Sequence, residues 1–160
     1  MARRAPSFTG LTPASEASSR SKRLNPRVDT QHEVILRSQL WRLGLRFRKN
    51  VKTLPGKPDL VFTVAKVVVF CDGDFWHGRD WKILKSKLRR GTNASYWSAK
   101  IASNIERDKR NTTLLKKAGW HVIRLWETDI MRDPLAAATL VKKAVDAGRG
   151  IVARSTTPRH

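Results

Sequence analysis

The chain has 160 residues, with 33 Lys and Arg against 13 Asp and Glu, and a formal charge of +20. That excess, with a pI near 11.4, points to a polyanionic partner, and no basic amphipathic stretch with a broad apolar face argues for a membrane surface instead. The 40% apolar content and six tryptophans supply one core and weigh against an extended basic tail protein. The one cysteine, Cys71, excludes an intramolecular disulfide and disfavours a cysteine zinc site. No run reaches transmembrane length and no signal-like apolar segment follows the basic start, so a cytoplasmic protein is expected.

Residues 1–28 are rich in Arg, Ser, Ala and Pro and read as a flexible basic arm, either a nucleic-acid contact or a solvated tail. The folded domain is expected over 29–150, with a flexible tail over 151–160. Thr30-Gln31-His32-Glu33 opens a helix as a capping box. Leu36, Leu40 and Leu43 recur at helical spacing behind it, and Gly44 suits its stop. Leu45-Arg46-Phe47 reads as a short strand and residues 52–58 as a turn-rich approach. Residues 60–64 and 66–71 read as a hairpin about Ala65. The second run is apolar throughout and so central in a sheet.

Residues 78–95 are basic and irregular, a loop or broken helix facing nucleic acid, with Lys82, Lys85, Lys87, Arg89 and Arg90 as phosphate contacts. Trp97, Ile101 and Ile105 begin a longer helix that Gly119 ends. Residues 120–126 form a further strand. Asp133-Pro134 starts a last helix, carried by Leu135, Ala138, Val141 and Val145 and closed by Gly148. The order predicts an α/β fold, a mixed central sheet flanked by helices.

Two of the strand-like runs carry an acid at one end, Asp59 and Asp72, and the second leads into Phe75-Trp76-His77-Gly78. Carboxylates at strand ends hold hard cations such as Mg²⁺, and an imidazole can take a proton from water near neutral pH. Those are the parts of a metal-assisted phosphodiesterase. Each also has a plainer reading. Glu33 is accounted for as a helix cap, Asp59 as a turn residue, and His77 as an ordinary histidine, the reading kept for His32 and His121. Phe75 and Trp76 are either core or wedges that open a base stack; two adjacent side chains in an extended segment cannot both face one core. Residues 106–110 read as a solvated helix face, with Asn104 and Asp108, one turn apart, as candidate ties to the site.

Blocks in order along the chain carry a specific resemblance. They are Asp29-Thr30-Gln31-His32-Glu33, Leu54-Pro55-Gly56-Lys57-Pro58-Asp59, residues 70–78 and Tyr96-Trp97 with Lys100-Ile101. Asn104-Ile105-Glu106-Arg107-Asp108 follows, then Gly119-Trp120-His121-Val122 leading to Leu125-Trp126-Glu127. With these, the chain resembles the very-short-patch repair (Vsr) endonucleases, a branch of the PD-(D/E)XK superfamily. The resemblance implies a restriction-endonuclease-like fold and an Mg²⁺-dependent enzyme that nicks one DNA strand beside a T:G mismatch. It implies Asp59 as metal ligand with the Cys71 backbone carbonyl, Asp72 as a second polar group supporting the metal, His77 as general base and Glu33 as a supporting acid. Phe75 and Trp76 match aromatics that enter the base stack, with Leu24 assisting from the arm and Lys57 beside the DNA. The family's thiol positions fall here on Asp74, on Gly78-Arg79 and on Thr128, so no structural zinc is expected. Arg79 is expected to pair with Asp74 or Asp80, with packing of Trp81 and Trp97 also holding the loop. The partners expected are double-stranded DNA and a mismatch-repair protein, with the chain a monomer. The alternatives are a homing- or restriction-type endonuclease of the same fold, or a catalytically silent DNA-binding module.

Overall fold

The computed structural model describes residues 28–155. In chain order the elements are α1 (Gln31–Arg42), β1 (Arg48–Lys49), β2 (Leu60–Phe62), β3 (Val67–Asp72), α2 (Trp81–Leu88), α3 (Ala94–Lys117), β4 (His121–Trp126), α4 (Glu127–Arg132) and α5 (Pro134–Ser155). The sheet runs β1-β2-β3-β4; β1, β2 and β3 pair antiparallel, and β4 pairs parallel to β3. This is the mixed, helix-flanked sheet of a restriction-endonuclease-like fold.

Every residue of β3 is buried. Alternate side chains leave a strand on opposite faces, so β3 feeds two cores. Val67, Val69 and Cys71 join Leu36 and Leu40 of α1, Ile123 and Leu125 of β4, Ile130 of α4 and Val141 and Val145 of α5. Val68 and Phe70 meet Val61 and Leu115 on the other face, beneath α3. The strand therefore ends between two packed layers, and Asp72 leaves it on the same face as Phe70. Crossing from β3 back to a parallel neighbour requires a long excursion, which here comprises the loop 73–80, α2 and α3.

Several expected elements shift. The short strand forms at Arg48–Lys49, after residues 45–47, where Arg48 finds its partner in Val61. Residues 81–88 form a regular helix, α2, with no buried residue. The last helix does not stop at Gly148. It continues through Gly150 to Ser155, into the expected tail, and a Cβ on Gly148 would meet the Ala65 carbonyl oxygen at 2.3 Å. Glycine at 148 thus answers to close packing on the β2–β3 turn. The capping box is also altered. The Thr30 hydroxyl donates to Glu33 Oε1 at 2.8 Å, and Glu33 Oε2 accepts the Asp29 amide at 3.0 Å. Leu24 lies outside the described residues. Among the described residues, no helix is long and apolar enough to cross a membrane.

Candidate active site

The hairpin places Asp59 one residue before β2, beside β3. Its amide donates to the Val69 carbonyl at 3.0 Å, and its carboxylate Oδ2 accepts the Cys71 amide at 2.7 Å. Burial pushes the Asp59 carboxyl up to about 6; the Cys71 amide opposes this, and the charges of Glu33 and Asp72 add to it. Glu33 itself is buried on α1, with Arg37 3.6 Å from its Oε2. Burial likewise drives the Cys71 thiol well above its ordinary value, so the side chain is an inert, small apolar group.

After Asp72 the chain coils instead of running on. The His77 amide bonds to the Gly73 carbonyl at 3.1 Å and the Arg79 amide to the Asp74 carbonyl at 2.9 Å. Gly78 closes this loop at a φ of 69°, where a Cβ would lie 2.6 Å from Ile105 Cδ1. Two side chains of α3 fasten it: buried Asn104 donates to the Trp76 carbonyl at 2.9 Å, and Asp108 Oδ2 lies 2.5 Å from His77 Nδ1. Burial works against the Asp108 charge, but the His77 hydrogen bond, with the charges of His77, Arg124 and Arg107, outweighs it and holds that carboxyl below its ordinary value. An ionised carboxylate only accepts, so Nδ1 carries the proton and Nε2 is left as the basic nitrogen. A cleft of about 530 Å³ opens beside this pair, lined in part by Asp72, His77, Asp108, Lys109, Thr112 and Arg124.

Asp72 stands differently from Asp59. Arg124 of β4 grips both its oxygens, Nε to Oδ2 at 2.6 Å and Nη2 to Oδ1 at 2.8 Å, and His77 Nδ1 is 3.6 Å away. Arg124 escaped attention in the sequence. Its one signal is an arginine set between apolar neighbours, Val122-Ile123 before it and Leu125-Trp126 after it.

Phe75 and Trp76 are neither extended nor fully buried. Because the loop coils, both rings meet Trp97 at 5.8 Å between centroids and each other at 5.2 Å. They remain 38% and 37% exposed, enough surface for a further aromatic partner. At the expected thiol positions, the Thr128 hydroxyl donates to Asp74, and Arg79 reaches Asp129 at 3.0 Å and Asp74 at 3.6 Å. The main partner of Arg79 is thus Asp129, with Asp74 second and Asp80 not engaged. Lys82 and Lys85 lie on α2, which Arg89 and Arg90 follow; Lys82, Lys87 and Arg90 line a shallow basic cleft of about 410 Å³. Lys57 occupies a left-handed turn position, φ 54°, just before Asp59.

The comparisons with known proteins agree on one family. Residues 14–83 match the model of the DNA mismatch endonuclease Vsr. The chain is 40% identical over 88% of its length to the type II nicking enzyme V.NmeDIP of Neisseria meningitidis serogroup C, of which it covers 93%. It is 38% identical to V.HpaIIP, a type II nicking enzyme of Haemophilus parainfluenzae, over 81% of this chain and 86% of that protein. The chain belongs to the Vsr family. The DNA mismatch endonuclease Vsr of Escherichia coli K12 is similar as well, 34% identical over 81% of this chain and 83% of its own length. As a Vsr-family member the chain is a DNA endonuclease, and DNA is its partner.

A divalent cation fits what surrounds Asp59. The carboxylate is half-buried near two further acids, which raise the cost of its ionisation, and a cation would relieve that cost. Among the described residues no three acidic, His or Cys side chains converge closely enough to hold a metal by themselves. A divalent cation held there would draw its remaining ligands from waters and substrate phosphate.

Proposed function

We propose that this endonuclease nicks one strand of duplex DNA beside a T:G mismatch in an Mg²⁺-dependent reaction. The observation that carries the reading is the pairing of His77 Nδ1 with ionised Asp108 at 2.5 Å, near the half-buried, electrostatically strained Asp59. Asp59 and the Cys71 carbonyl would hold the cation. Bound there, it would polarise the phosphodiester and favour charge on the departing oxygen. His77 Nε2 accepts the proton of the attacking water, while Asp108 keeps the imidazole oriented and supports the imidazolium that forms. Glu33, tied to Thr30 and Asp29, fastens α1 beside Asp59 and adds to the negative field there.

Phe75 and Trp76, braced by Trp97, present a half-exposed aromatic ridge for the opened base step, where stacking contributes about 1–3 kcal/mol per base. Lys57 and the α2 cations Lys82 and Lys85, with Arg89 and Arg90, neutralise backbone phosphates. The test is cleavage of end-labelled duplexes carrying T:G, each other mismatch, or none, with and without Mg²⁺. The expected result is a single nick in one strand of the T:G duplex that disappears with chelation. Equal cutting of the fully matched duplex would replace this reading with a restriction- or homing-type activity, and no cutting of any duplex would leave a DNA-binding module.

A further inference from the structure

Glu33 and Asp72 act on the charge of Asp59, and Asp72 and Asp108 both meet His77 and Arg124, yet these four carboxylates do not share one electrostatic setting. Arg124 stands opposite Phe70 in the parallel β3–β4 register. Its guanidinium lies over the Phe70 ring, 4.4 Å from the centroid, and reaches two residues along the same face to Asp72. It grips both Asp72 oxygens at 2.6 and 2.8 Å, approaches Asp108 Oδ1 at 3.4 Å, and donates through Nη1 to the Thr112 hydroxyl at 3.3 Å. The Asp72 side chain is 5% exposed and that of Asp108 15%. One cation therefore serves the acid at the end of β3 and the acid that orients His77. A forked, planar group is needed for this; a lysine ammonium matches neither the two-point grip nor the stacking.

We propose that Arg124 is a positioning residue of the hydrolytic site. It clamps Asp72 and Asp108 so that Asp108 holds His77 in register, and it occupies Asp72 so that Asp72 does not act as a ligand to the divalent cation. The assignment rests on the proposed hydrolysis through Asp59 and His77 and goes beyond it. It gives Asp59, rather than Asp72, the carboxylate that meets the metal, and it makes the second acid part of the histidine's scaffold.

The experiment uses the full chain and the variants Arg124→Gln, Arg124→Lys, Asp72→Asn and Asp59→Asn. Single-turnover nicking is measured at saturating DNA, DNA affinity without Mg²⁺, and the melting temperature across an Mg²⁺ titration. Arg124→Gln is expected to lose about 10- to 100-fold in the nicking rate, the span for an outer partner of a reacting group, with DNA affinity within about threefold. Arg124→Lys, which keeps the charge without the fork, is expected to recover only part of the rate. Asp72→Asn is expected to keep the Mg²⁺-induced rise in melting temperature, and Asp59→Asn to lose it. An unchanged rate in Arg124→Gln, a loss found wholly in DNA affinity, or a deficit that vanishes below the variant's melting transition would overturn the positioning role. Loss of the Mg²⁺-induced rise in Asp72→Asn would make Asp72 a ligand and overturn the second half. If wild-type protein does not nick, or Asp59→Asn nicks as fast as wild type, the underlying function fails instead.

Discussion

Asp59 and Asp72 end adjacent antiparallel strands, yet they live in opposite electrostatic settings. Asp59 is half-buried near other acids, accepts one backbone amide, and has its carboxyl pushed up to about 6. Asp72 is buried more completely but is gripped at both oxygens by Arg124 and lies near His77. The difference teaches which acid is incomplete. A carboxylate already paired with a guanidinium has its charge compensated within the fold, whereas one strained by neighbouring acids is stabilised only when a cation arrives.

The largest effect that would break this contrast lies at Asp59. Asp59→Ala is expected to lower nicking by roughly 10³-fold or more, since a bound metal supplies several kcal/mol of transition-state stabilisation, while a gel-shift titration finds DNA affinity within a few-fold. Nicking that survives the substitution removes Asp59 from the chemistry.

On the other side of the site, His77→Ala is expected to slow the single-turnover rate by roughly 10²–10⁴-fold. Asp108→Asn should follow with about 10- to 100-fold. An Asp108→Asn rate equal to wild type would mean that the 2.5 Å contact only fastens the loop.

The contrast also predicts opposite stabilities. The folded Asp59 carboxyl sits above its ordinary value of 3.8, so the native state binds more protons than the unfolded chain between about pH 4 and 6. Stability is accordingly lost as pH rises through that window, and the full penalty persists above it. In the absence of divalent cations, Asp59→Asn should stabilise the protein at pH 7.5 by on the order of 1–3 kcal/mol. The gain should disappear below about pH 3, where both states are mostly protonated. Asp72→Asn should instead destabilise at pH 7.5, because it removes the carboxylate charge that the half-buried Arg124 guanidinium grips at both oxygens. Melting curves at the two pH values check both signs; destabilisation by Asp59→Asn at pH 7.5 would show that its carboxylate is already compensated.

Smaller effects sharpen the account away from the carboxylates. Trp76→Ala should reduce the preference for a T:G duplex over a matched one by about tenfold, in line with the loss of one stacked base, and should cost little general affinity, which the basic surface supplies. Equal losses on both duplexes with a lower melting temperature would make Trp76 a packing residue. A zinc chelator should leave the melting curve unchanged, because Asp74, Arg79, Thr128 and Asp129 already brace the loop. Stoichiometric zinc in elemental analysis would contradict this.

Much of the fold was legible along the chain because it rests on local pattern. Periodic leucines predicted α1, the apolar run to Cys71 predicted a central strand, and Gly119 marked the turn before β4. The strand-end acids and the Asn104 and Asp108 ties were also visible, since both need only sequence spacing on a known element. What failed were boundaries set by contact at a distance. Gly148 reads as a helix stop in isolation, but the helix runs on because the absent Cβ lets it pack on the Ala65 carbonyl. Adjacent Phe75 and Trp76 cannot share one core if the chain is extended there, but the loop coils around Gly78 against Ile105 and brings both rings to Trp97.

By itself, then, the sequence determined the family, the element order and the set of chemically able residues, because residue type and spacing are local properties. Only the tertiary structure decided how charge is shared among them. Arg124 meets Asp72 across 52 positions of chain, and His77 meets Asp108 across 31. Parallel pairing of β3 with β4 and the packing of α3 over the sheet create those contacts. Burial then makes them strong, because a carboxylate out of water depends on whichever partner the fold brings to it.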